Sequence, residues 1–193
     1  MSLDFTVFSA GIDESGRGSL AGPVYAAAVI LDDKHPIRGL ADSKLLNKNK
    51  REQLSVIIKE KSLSWAIGIS SVEEIDSLNI LQATLLAMRR AVLGLSRKPN
   101  IALVDGNVSP HLDCLVKTIV GGDRLVQSIS AASILAKTER DAEMLKLHLE
   151  YPNYGFDQHK GYCTSKHLRL LRLYGPCVFH RRSFAPVREV INL

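Results

Sequence analysis

Four acidic residues lie where a sheet could bring them together. Asp13 and Glu14 follow the apolar run FTVFSAGI, Asp105 follows IALV, and Asp123 follows LVKTIV and two glycines. Each comes at or just past the end of a strand-like segment, and in open α/β sheets sites form in the crevice at strand ends. Carboxylates delivered there from separate strands repel one another and call for a cation. An all-oxygen donor set favours a hard ion, Mg²⁺ or Mn²⁺. Neighbouring residues on a regular strand point to opposite faces, so Asp13 and Glu14 can share one site only if the strand ends or twists there. The following glycines, Gly16 and Gly18, supply that freedom, and Arg17 between them carries a forked donor suited to phosphate.

Other chemistries find less support. His159, Cys163 and His167 are close in sequence, but no second Cys/His pair completes a tetrahedral zinc site. There is no G-x-S-x-G elbow, and Gly16-Arg17-Gly18-Ser19 lacks the Lys-Ser/Thr step of a P-loop. Charge is unevenly spread: from Gln158 onward there are seven Lys/Arg against one acid, while the remainder is near neutral. A basic segment of this kind suits a polyanion such as nucleic acid. Asp141 reads as a structural acid, paired with Arg140 or another nearby cation.

The elements that must position these residues follow from periodicity. Phe5 to Ile12, Val24 to Leu31, Ser64 to Ser70, Ile101 to Val104 and Leu115 to Val120 read as strands. Helices are expected over Lys48 to Lys61, Asn79 to Leu95, Ser128 to Leu149 and Ser165 to Tyr174, with Ser71 and Glu74 as a capping box for another. The tail GPCVFHRRSFAPV reads as irregular. With 193 residues, 46% of them hydrophobic, the chain suits one α/β domain with a mixed sheet. No apolar run reaches the roughly 18 residues of a membrane span. The N-terminus does not resemble a signal peptide, and three scattered cysteines suit a reducing compartment. A cytoplasmic location is expected.

Taken in order, GIDESGRGSLAGPVYAAAVIL, ADSKLL, LVDG, GGD, SAASILAKTERD, YPNYGFDQHKGYCTSKH and HRRSF resemble bacterial ribonuclease HII, the type 2 ribonuclease H family, from about Ser9 to Val190. The resemblance implies an RNase H-like α/β fold, a mixed five-stranded sheet flanked by helices with a small helical C-terminal part. It implies one catalytic domain over 1–193, with 158–193 as a basic substrate-binding segment. The implied activity is metal-dependent hydrolysis of the RNA strand of RNA–DNA hybrids. It extends to incision 5′ of single ribonucleotides in duplex DNA, in ribonucleotide removal, repair and replication, leaving 3′-hydroxyl and 5′-phosphate ends.

By the same resemblance Asp13, Glu14, Asp105 and Asp123 are the catalytic metal ligands, holding two Mg²⁺ or Mn²⁺ ions. Two such ions can activate a water and stabilise the leaving oxygen. Gly16, Arg17 and Gly18 match the Gly-Arg-Gly step, and Tyr162 matches the tyrosine that senses the 2′-hydroxyl, the group that tells RNA from DNA. Lys44, Ser133, Lys137, Lys160 and Lys166 are candidates for phosphate contact, which sets register rather than sequence. Two features depart from the usual pattern: Ser15 replaces an alanine after the acid pair, and Gly121 replaces a basic residue before the Gly-Asp step. The expected partners are RNA–DNA hybrid and ribonucleotide-containing duplex DNA. A monomer is expected, with no membrane partner and no replication-clamp tether in REVINL.

Two competing functions make different demands. A non-catalytic hybrid-binding protein would keep the basic segment and have no need of the acids. A phosphotransferase acting on a small phosphorylated ligand through GRGSLAG would give the basic tail little to do.

Overall fold

The computed structural model describes residues 7–40 and 46–192. Its sheet has five strands in the order β3-β2-β1-β4-β5. These are β1 (Ser9–Ser15), β2 (Val24–Ile30), β3 (Ser64–Ser70), β4 (Ile101–Asp105) and β5 (Leu115–Ile119). The first three form an antiparallel meander, while β4 pairs parallel to β1 and β5 parallel to β4. The helices are α1 (Lys48–Lys61), α2 (Val72–Leu78), α3 (Ile80–Leu93), α4 (Gly122–Leu125), α5 (Gln127–Glu150), α6 (Phe156–His159), α7 (Ser165–Tyr174) and α8 (Ala185–Ile191), with a 3-10 turn at Pro152–Tyr154.

Strand β2 explains the layering. All seven of its residues are buried, as expected when both faces of a sheet are covered. Ala26 and Ala28 join Ala10 and Ile12 in packing against Ala83, Ala87 and Ala91 of α3. Ala27 and Val29 face the other way, onto Ala131, Ala132 and Leu135 of α5 and Leu54 and Ile58 of α1. Small residues bring the layers close. At Gly11 of β1 a Cβ would lie 2.1 Å from the Ser128 carbonyl carbon, so α5 rests directly on the strand that carries the acid pair.

The expected α1, β3 and α7 match their observed limits, and Ser71 and Glu74 form the reciprocal capping box of α2. Two expectations need correction. β1 does not stop at Ile12 but runs through both acids to Ser15, because Glu14 and Ser15 pair with Ala26 and Tyr25 of β2. Its expected start at Phe5 and Thr6 lies outside the described residues. The tail is not irregular throughout. It ends in α8, whose Pro186 sits in the first turn, where a missing N–H costs nothing.

Candidate active site

Parallel pairing aligns the first two acids. Ile12 is level with Val104, so Asp13 and Asp105 are the next residues on adjacent strands, with side chains on the α5 face. Asp13 is 5% exposed and lies beside Ser133 of α5, whose hydroxyl bonds its carboxylate. Asp105 Oδ1 accepts from the Gly122 N–H at 2.7 Å, which ties β4 to the start of α4 and brings in Asp123, also 5% exposed. The Ser130 hydroxyl clamps this turn by donating to the Asp123 carbonyl at 2.5 Å.

Glu14 reaches the same end of the sheet from the opposite side of β1. The strand runs one residue past the pair and ends at Ser15. β4 stops at Asp105, level with Asp13, so Glu14 lies one residue beyond its parallel neighbour, at the open edge.

The electrostatics are those of crowded like charges. Burial, followed by the charges of Glu14 and Asp105, pushes the Asp13 carboxyl well above the usual range. The Ser133 hydroxyl and the Glu14 N–H, 2.7 Å from Asp13 Oδ1, offset this in part. Among the described residues, arginines reach only the outer two acids: Arg17 stands 3.4 Å from Glu14, and Arg124 4.0 Å from Asp123. Among the described residues Asp13 and Asp105 make no ion pair, and no group of three carboxylate, imidazole or thiol side chains forms a ready-made ion cage. The donor chemistry nevertheless fits a hard cation: oxygen ligands, two of them deeply buried, with like charges crowded together.

The Gly-Arg-Gly step is built differently. Residues 19–22 run between two partners. Ser19 bridges to Tyr162 and Leu20 N–H donates to the Gly161 carbonyl; on the other side Ala21 bridges to His180 and Arg181 N–H donates to the Leu20 carbonyl. This lacing places Tyr162 beside the step. The fully buried Arg181 guanidinium then donates to the carbonyls of Gly16 (2.8 Å), Arg17 (2.9 Å) and Gly22 (2.8 and 2.9 Å). Those carbonyls are therefore taken, while the N–H groups of exposed Arg17 and Gly18 have no acceptor among the described residues. A second buried arginine, Arg140, fills the space where Gly16 has no side chain, since a Cβ there, at φ +98°, would lie 2.0 Å from Arg140 Nε. Its guanidinium also lies 5.2 Å from the Tyr162 ring centre, with Lys137 Nζ at 5.4 Å.

Sequence reasoning missed both buried arginines: Arg181 reads as part of a basic tail, and Arg140 as a helix-surface partner for Asp141. The available signal was the glycine-rich turn itself, Gly16 to Pro23, whose carbonyls need donors once buried. Asp141 pairs with Lys137 at 2.6 Å and Arg51 at 3.4 Å, not with Arg140.

The phosphate candidates divide by position. Ser133 is 3% exposed and bonded to Asp13, so it supports the acid cluster rather than offering an open phosphate contact. Lys137 is half-buried beside Tyr162. Lys160 Nζ donates to the Asp157 carbonyl. Lys166, exposed, bonds Gln158 at 2.7 Å. Lys44 lies outside the described residues. No described helix is long and apolar enough to cross a membrane.

The family model for ribonuclease HII matches residues 10–187. A ribonuclease HII from Bordetella avium is 65% identical over 179 residues, covering 93% of this chain and 89% of the relative. One from Nitrosospira multiformis is 62% identical over 181 residues, covering 94% and 91%. Among solved structures, ribonuclease H2 from Pyrococcus horikoshii superposes with a TM-score of 0.80 at 26% identity, covering 96% of this chain and 98% of that one. The chain belongs to the ribonuclease HII family and is a ribonuclease H enzyme.

Proposed function

We propose that this enzyme hydrolyses the RNA strand of RNA–DNA hybrids and nicks duplex DNA on the 5′ side of a single embedded ribonucleotide, leaving 3′-hydroxyl and 5′-phosphate ends. The observation that carries this reading is the juxtaposition of two unlike sites. A crowded acid cluster stands at the end of β1 and β4, and a rigid Gly-Arg-Gly step pinned beside Tyr162 follows two residues after the acid pair.

Asp13, Glu14, Asp105 and Asp123 would hold Mg²⁺ or Mn²⁺. Bound there, the ions supply charge neutralisation at the scissile phosphate and a more acidic water. The protein's own groups do the rest. Ser133 holds the Asp13 carboxylate and the Gly122 N–H holds that of Asp105, so both acids are oriented before substrate arrives. The exposed N–H groups at Arg17 and Gly18 are donors for the sugar and phosphate next to the cut. Arg17, half-exposed, can leave Glu14 for a phosphate. Tyr162 offers a ring for the sugar and a hydroxyl for the 2′-oxygen. Lys137, Lys160, Lys166 and Lys44 hold the duplex backbone, and residues 158–193 act as the substrate-binding part of one catalytic domain. A monomeric cytoplasmic enzyme of ribonucleotide repair is consistent with these roles.

The test is cleavage of duplex DNA carrying one ribonucleotide, beside an all-DNA duplex, with Mg²⁺ or Mn²⁺. A nick 5′ to the ribonucleotide, absent from the all-DNA duplex, is expected. Cleavage of both duplexes, or of neither by folded protein, would overturn the reading.

A further inference from the structure

Three histidines that the chemistry above does not use are packed together under Tyr162. His159 is 8% exposed, and His167 and His180 are fully buried. The rings of His159 and His167 stack at 4.2 Å between centres, and Phe156 lies edge-on to both. They come from α6, α7 and the segment after α7, so the cluster joins the C-terminal elements to one another.

Their hydrogen bonds run in one direction. Cys177 N–H lies 3.1 Å from His180 Nδ1, which must therefore accept. His180 then carries its proton on Nε2, and that nitrogen faces His167 Nε2 at 3.0 Å. Two donors cannot face each other at that distance, so His167 accepts there and is protonated on Nδ1. His167 Nδ1 lies 3.0 Å from the carbonyl of Tyr162, which takes the last hydrogen bond. His159 is fixed the same way, accepting from Gly161 N–H at 3.2 Å and donating to the Tyr154 carbonyl at 2.7 Å. An extra proton on His180 or His167 would set a donor against a donor. Burial favours the same neutral form, holding His167 near pKa 4 and His180 near 3.

The two ends of this chain are functional landmarks. One end is the Tyr162 backbone. The other is His180, which bridges to Ala21 and precedes Arg181, the residue that binds the carbonyls of the Gly-Arg-Gly step. We propose that His167 and His180 are positioning residues for ribonucleotide recognition, a fixed relay of neutral imidazoles that sets Tyr162 in register with the Gly-Arg-Gly step. The proposal rests on the assignment of Tyr162 to the 2′-hydroxyl. The relay makes His167 more than packing, because its Nδ1–H donates to the backbone of the sensing residue itself.

Two measurements test this. The first needs no variant: ¹⁵N NMR of the imidazoles in the intact protein near neutral pH. Protonation on Nδ1 in His167 and on Nε2 in His180 is expected; the opposite tautomers, or a charged ring, would overturn the relay. The second is a double-mutant cycle on the single-ribonucleotide duplex. His167→Gln removes the Nδ1 donor, and His167→Asn keeps a donor at that place. His167→Gln should lower kcat/KM by about 10- to 100-fold, as small misplacements of catalytic parts do, and His167→Asn should recover most of the loss. In a Tyr162→Ala background His167→Gln should cost little more, because the group it positions is gone. Equal losses in both backgrounds, or no recovery by His167→Asn, would assign His167 to general stability and overturn the proposal. Parent-like activity of Tyr162→Ala would overturn the sensing role of Tyr162, and with it the function of the relay. The NMR tautomers would still decide whether the relay itself exists.

Discussion

The acid cluster and the Gly-Arg-Gly step with Tyr162 adjoin in the fold, yet they are built on different electrostatic principles. Around Asp13, like charges are crowded into a buried place. Around Tyr162 and the Gly-Arg-Gly step, two buried guanidiniums and three imidazoles pair with carbonyls, amides and one another, with Arg140 Nη1 left over among the described residues. The first region is under tension that a ligand can relieve. The second is set before any ligand arrives. A site that must capture a cation gains from unbalanced charge. A site that must distinguish one hydroxyl gains from rigidity, because a loose donor satisfies either sugar.

The sharpest way to break the contrast is to remove one member of each region. Asp13→Asn should abolish most activity, by on the order of a thousandfold or more, since several kcal/mol of charge stabilisation at the phosphate depend on this group. In metal-free buffer the same variant should melt no lower than the parent, because a repulsive buried charge has been relieved. Parallel cleavage assays and thermal melts check both halves. Arg181→Met should do the reverse to stability. It leaves the carbonyls of Gly16, Arg17 and Gly22 without their donor, at a cost of about 3–5 kcal/mol. Urea unfolding measures this, and a loss below about 1 kcal/mol would contradict the rigid-scaffold account.

Acid should loosen the histidine cluster beside Tyr162. His167 and His180 have folded pKa values near 4 and 3, below the ordinary 6.5. Between about pH 6.5 and 4 the unfolded chain therefore binds protons that the folded one refuses. Stability is complete above the ordinary value and falls as pH drops, by about 1.4 kcal/mol per pH unit for each histidine well inside that window. Replacing both histidines should flatten that limb of the stability–pH curve. The smallest effect is at the rim. Arg17 and Glu14 form an exposed pair at 3.4 Å, worth below about 1 kcal/mol. Arg17→Ala should leave the melting temperature nearly unchanged while weakening duplex binding and reducing its salt dependence.

Much of this was legible in the residues. Lys48–Lys61 and Ser64–Ser70 emerged at their true limits because amphipathic period and alternation were clear. The acids stood out through their place at strand ends. β1 was misjudged because two carboxylates seemed to end a strand, whereas pairing with β2 carries it on to Ser15. α8 was hidden by Pro186, which punctuates a sequence but is at ease in a first turn. The rest was illegible for a physical reason. Whether Arg140, Arg181 or His167 is buried depends on carbonyls and rings far away in sequence, and side-chain type alone points the other way. Ser133 shows the same limit, since its hydroxyl belongs to Asp13 only because Gly11 lets α5 approach β1 so closely.

If the crowded acid cluster is completed by a divalent cation, binding that cation must stabilise the protein. The most direct test is to titrate Mn²⁺ or Mg²⁺ into the protein and into Asp13→Asn while following the melting temperature. The parent should gain stability with added cation, by about 2.7 kcal/mol at a hundredfold excess over Kd, and the variant should gain far less. No stabilisation of the parent, or an equal gain in both proteins, would contradict the account.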